Sequence, residues 1–168
     1  VSGKVLCGQA TRRRDAVSRR QSDARCLRAG AGLVMVSPME RIFLTLGSAM
    51  GFLAVALGAF GAHGLKRKLA PLADGADRLA WWETAAHYHL THALALGLVA
   101  FLVARAPSTA ATASGWLFLV GMLVFSGSLY AMTLTGVRVL GAITPIGGLC
   151  LLAGWASLGF AAWKSLPS

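Results

Sequence analysis

IFLTLGSAMGFLAVALGAFGA, Ile42 to Ala62, runs 21 residues without an ionisable side chain. A helix of that length spans about 30 Å, the thickness of a bilayer's hydrocarbon core. Three further apolar runs follow at about 84–104, 115–134 and 139–163, so lipid rather than water surrounds most of this chain. In hydrocarbon every backbone polar group has to be satisfied within its own segment, which makes the runs helices, and short connections make successive helices antiparallel. The expected fold is all-α: an integral membrane antiparallel bundle of four transmembrane helices, forming one domain over residues 39–168.

Composition agrees. The chain is 56% hydrophobic and 13% charged, with a mean hydropathy of +0.64, whereas soluble domains carry about 25% charged residues. The net charge of +10 suggests nucleic acid until it is divided along the chain. Lys4, Arg12, Arg13, Arg14, Arg19, Arg20, Arg25 and Arg28 stand against Asp15 and Asp23, and no aromatic residue interleaves them to stack on bases. The expected partner is therefore the lipid bilayer, with no nucleic acid. Residues 1–38 read as a basic disordered tail, or as a mis-assigned start, because Met35 and Met39 stand just before the first run. A signal peptide is the third reading, but the apolar run exceeds the roughly 7–15 residues such segments use. Cys7, Cys26 and Cys150 are odd in number and lack metal-ligand spacing, so neither a disulfide framework nor a structural zinc site is indicated. Cys150, inside an apolar run, reads as packing.

Gly47 and Gly51 form a GxxxG pair in the first run, continued by Ala54, Gly58 and Ala62, with Gly61 beside them. Small residues at this spacing let a neighbouring helix approach closely, within the bundle or in a homo-oligomer. Lys66, Arg67, Lys68, Pro71, Asp74, Asp77 and Arg78 predict a loop that turns the chain, and Trp81 and Trp82 an interfacial belt. In the fourth run, Gly141, Thr144, Pro145, Gly147 and Gly148 come early, and Pro145 predicts a kink near the helix start.

Alternate helices run in opposite directions, so their polar halves can be assigned to sides. The first run ends near His63 on the side where the second begins with Glu83, His87, Tyr88, His89 and His92. The third run arrives there with Ser126, Ser128 and Tyr130, and the fourth departs with Thr144. All four polar segments share one leaflet, and Trp116, Trp155 and Trp163 fall in the other. At 100° per residue Ala85, Tyr88, His89 and His92 share a face that meets the hydroxyls of the third and fourth helices, while His87 points away and pairs with Glu83.

Three uses of this cluster stand open. The first is helix-to-helix hydrogen bonding, each bond contributing about 0.6 to 2 kcal/mol. The second is a binding or transport site for a small molecule, an ion or a proton, since intramembrane ionisable residues are functional candidates by default. The third is haem or metal. Histidines at i, i+3 on one helix do not sandwich a haem, so no cofactor is assigned. No nucleophile stands with a base and an orienter, and no carboxylates are paired, so an enzyme is not expected. A structural or accessory membrane protein is the leading expectation, with the binding or transport site as the alternative.

The strings GAFGAHGL (58–65), WETA (82–85) with YHLTHALAL (88–96), FSGSLY (125–130) and GAITPIGG (141–148) resemble the small four-helix membrane family called domain of unknown function 423. That family includes bacterial YgdD-like proteins and a eukaryotic transmembrane relative. The resemblance covers about Met39 to Trp163 and implies a multi-pass protein of the bacterial inner membrane, with no established catalytic activity or cofactor. Counted from Met39, Lys66, Arg67, Lys68, Arg78 and Arg138 stand on the polar side against Arg41, Arg105 and Lys164, which favours termini outside; the tail's bases would reverse the count.

Overall fold

The computed structural model describes residues 36–165; the chain up to Met35, with most of the expected tail, Cys7 and Cys26, lies outside them. Four long helices carry the described fold, each long and apolar enough to cross a membrane. The first, α1, spans Pro38–Phe60 and opens with a capping box: Ser37 Oγ accepts from the Glu40 amide at 3.1 Å, and the Glu40 carboxylate accepts from the Ser37 amide at 3.3 Å.

The helical path does not end at Ala62. It passes through a π-helical turn, Gly61–Leu65, into a last helical turn, Lys66–Leu69, so the expected loop shrinks to the residues between Leu69 and Gly75. Charge bars Lys66, Arg67 and Lys68 from hydrocarbon but not from a helix, since lysine, arginine and leucine are good helix formers. Buried Leu65 and Leu69 hold the extension down against Trp82. The second helix, α2, begins at Gly75 rather than near Thr84 and runs to Arg105. Gly75 is required there, because a Cβ would collide with the Leu69 carbonyl oxygen.

Helix α3 spans Thr109–Thr135, capped at its start by Ser108 and closed by Gly136 in the left-handed region, φ 75°. A 3-10 segment, Arg138–Ala142, precedes α4, Thr144–Ser165. The fourth α-helix thus starts five residues later than Val139, and Pro145 lies in its first turn. There its missing N–H leaves no bond unmade, so the residue starts the helix instead of kinking it.

The helices pack in chain order, α1 on α2, α2 on α3 and α3 on α4, each pair antiparallel. The inner pair is accordingly more enclosed: 44% of the spanning window is buried in α2 and in α3, against 17% in α1 and in α4. One apolar core, including Phe43, Leu96, Val99, Phe118, Met122 and Leu151, fills the half away from the polar residues. Outward faces carry Phe52, Leu94, Leu149 and Trp163, which is the pattern lipid demands and water would penalise.

Candidate functional site

The end of α1, the start of α2, the end of α3 and the start of α4 meet at one end of the bundle, where the polar side chains gather. Ser128 Oγ lies 2.8 Å from Thr144 Oγ1 and donates to the Phe125 carbonyl oxygen at 2.9 Å, which leaves the Thr144 hydroxyl as donor across the α3–α4 contact. Thr133 Oγ1 lies 2.9 Å from the Leu129 carbonyl oxygen and 3.0 Å from that of Arg78, tying α3 to the first turn of α2. Arg138 reaches Asp77 at 3.6 Å and lies over the Trp81 ring.

The two buried histidines differ. His92 Nδ1 lies 2.7 Å from the Tyr88 carbonyl oxygen, and the Trp155 indole donates to its Nε2 at 3.2 Å. A carbonyl only accepts and an indole N–H only donates, so His92 is the neutral imidazole with its proton on Nδ1. Both ring nitrogens are used, and no lone pair is left for a metal. His89 has one hydrogen-bonding contact, the Tyr130 hydroxyl at 3.4 Å from Nδ1, and its Nε2 has no protein hydrogen-bond partner. Ser126 Oγ is buried without a partner as well.

Other expected members stand apart. His63 is exposed on the π-helical turn, where its carbonyl oxygen accepts from Arg67. Glu83 and His87 are both exposed, and no ion pair joins them: an exposed pair at this spacing gains too little to order two side chains. The His87 ring lies edge-on to Tyr88 instead. Tyr88, on the margin of the inward face, is 40% exposed and packs on Phe125 at the lip of a groove of about 530 Å³ between α2 and α4.

One tryptophan departs from the expected belt, and another from its expected leaflet. Trp82 is 2% exposed, donates its indole N–H to the Leu57 carbonyl oxygen at 2.9 Å and fills the notch over Gly61. At that point the Gly61 amide is shared between the Leu57 and Gly58 carbonyls as the backbone enters its π turn. Trp155, expected in the leaflet opposite the polar residues, sits midway along α4 and bonds His92, closing over Phe118. The small residues divide similarly. Gly47 packs against the Ala93 carbonyl oxygen, 3.0 Å from an ideal Cβ, whereas Gly51 and Gly58 face open space. Gly147 lies on the Phe125 backbone, while Gly148 has ordinary clearance from the Phe125 ring. Cys150 is half-buried with a free thiol.

Four spans in antiparallel succession, with their polar side chains gathered at one end, define a small multi-pass membrane protein. The profile of the family described as "Protein of unknown function (DUF423)" matches residues 57–148. The chain is 42% identical over 127 residues to the UPF0382 membrane protein YwdK of Bacillus subtilis, covering 75% of this chain and 99% of that protein. It is 44% identical over 124 residues to a UPF0382 membrane protein of Staphylococcus epidermidis (74% and 97% covered) and 42% over 128 residues to one of Haemophilus influenzae (76% and 98%). No solved structure matches. The chain belongs to the DUF423 family.

Proposed function

We propose that this protein is a non-enzymatic accessory component of the bacterial inner membrane, a stiff four-helix body that acts through its lipid-facing surfaces. The observation that carries this reading is His92, whose two ring nitrogens both serve to join structure, one to its own helix and one to α4. The hydroxyls agree: Ser114, Ser128 and Thr133 bond helix carbonyls, an arrangement that fixes a helix rather than activating a nucleophile. Its partners are then lipid and other membrane proteins, without nucleic acid.

Replacing His92 by alanine removes a buried ring packed on Phe118 and Trp155 together with its bond to Trp155. The expected loss is about 2 to 3 kcal/mol of unfolding free energy, measured by unfolding of purified protein in lipid nanodiscs. A variant as stable as the parent contradicts the reading.

The proposed body has both termini outside. Counted from Met39, Lys66, Arg67, Lys68, Arg78 and Arg138 at the polar end against Arg41, Arg105 and Lys164 at the other support a polar end facing the cytoplasm. A C-terminal alkaline phosphatase fusion should therefore be active in the periplasm. Activity restricted to a cytoplasmic reporter reverses the orientation.

A further inference from the structure

Among the described residues four hydroxyl side chains are buried, and three of them bond helix carbonyls; of these four, Ser126 alone has no partner. Of the two buried histidines, one uses both ring nitrogens and His89 keeps Nε2 unpaired. The residues with unpaired groups, 4% and 1% exposed, line the same cavity of about 120 Å³, set between α1, α2 and α3 and bounded by Leu57, Met122 and Tyr130. A buried polar atom without a partner opposes folding, so two at one cavity mark a place suited to another molecule's polar atoms.

We propose that this cavity binds the uncharged carbonyl head of a membrane-soluble molecule. The Tyr130 hydroxyl lies 3.4 Å from His89 Nδ1. A phenol is the better donor and an imidazole nitrogen the better acceptor, so Tyr130 gives its hydrogen to Nδ1 and the ring proton sits on Nε2. Nε2–H and the Ser126 hydroxyl are then two unpaired donors on residues that line one cavity, a pairing that suits a carbonyl oxygen once small side-chain shifts turn them toward it. No carboxylate, lysine or arginine lines the cavity, so a charged head would have no counter-ion at this depth. Leu53 and Leu123 form its outer lip, 42% and 55% exposed on the lipid-facing surface. Entry is therefore from the hydrocarbon, and the rest of the bound molecule is apolar. A quinone ring and an acyl ester both present this chemistry.

The test titrates the full chain in detergent with decyl-benzoquinone in one arm and monodecanoylglycerol in the other, reading occupancy by native mass spectrometry. Ser126→Ala removes an oxygen that bonds nothing in the protein, so its melting temperature should stay within about 2 °C of the parent. It should nevertheless bind one of the probes about tenfold more weakly, the loss expected for one hydrogen bond. His89→Leu, which removes the second donor, should weaken the same probe at least as much. Ser126-dependent binding of the quinone identifies a quinone-type head, and Ser126-dependent binding of the monoacylglycerol an acyl ester. If neither probe binds, or both bind Ser126→Ala as they bind the parent, the proposal is overturned.

Discussion

Gly147→Val should separate α4 from α3 and cost about 3 kcal/mol or more of stability in lipid. The two helices approach closely along their length, with Gly121 under Leu151, Gly154 under Phe118, and Ser128 bonded to Thr144. At Gly147 the neighbour is the Phe125 backbone itself, and a Cβ there would overlap Phe125 N, Cα and Cβ. A side chain can rotate away from such an overlap; a backbone in the middle of a helix cannot. Overpacking of this kind typically costs about 1 to 3 kcal/mol, and in lipid no hydrophobic effect draws the helices back together once their close contact is lost. Gly148→Ala is the matched control. Its Cβ would stand 3.8 Å from the Phe125 ring, an ordinary contact, so the variant should unfold like the parent. Equal losses at the two glycines would show that the α3–α4 approach is not as described.

Trp82→Ala should have the second large effect, about 3 to 5 kcal/mol. The indole is enclosed by Phe60 edge-on at 5.7 Å and by Tyr130 at 4.5 Å between ring centroids, and buried Leu65 and Leu69 complete the cluster. Its removal empties the notch over Gly61 and frees the C-terminal extension of α1 from α2. The bond to Leu57 is a smaller part of this. Trp82→Phe keeps most of the packing and loses only the indole donor, so it should cost about 1 kcal/mol. Unfolding of both variants in nanodiscs separates the two contributions, and an alanine variant no worse than the phenylalanine variant would assign Trp82 to the surface.

Much of this was legible beforehand because membrane spans obey few rules. Four uncharged runs with short connections admit only an antiparallel helical arrangement, and direction alone then assigns each polar segment to a side. The inward positions of Ala85, His89 and His92 follow from 100° per residue. Helix ends were less legible, because hydropathy reports where lipid stops and not where hydrogen bonding stops. Lys66–Leu69 and Gly75–Glu83 leave the apolar runs without leaving the helix.

Contact partners were the least legible. Trp82 and Trp155 carry the residue type of an interfacial belt, and their burial depends on Gly61 and His92, which are distant in the chain. Likewise nothing local distinguishes Gly47, pressed on α2, from Gly51 and Gly58, which face outward. The different states of His89 and His92 also come from neighbours on α3 and α4 rather than from their own positions.

The claim that the polar residues hold the helices together is tested most directly by the energetic coupling of His92 and Trp155. His92→Ala, Trp155→Phe and the double variant complete a thermodynamic cycle in lipid nanodiscs, with the phenylalanine keeping a ring while removing the indole donor. A coupling of about 0.6 to 1.7 kcal/mol is the predicted result, the range of interhelical hydrogen bonds in membranes. Additive losses, with no coupling between the two positions, would contradict it.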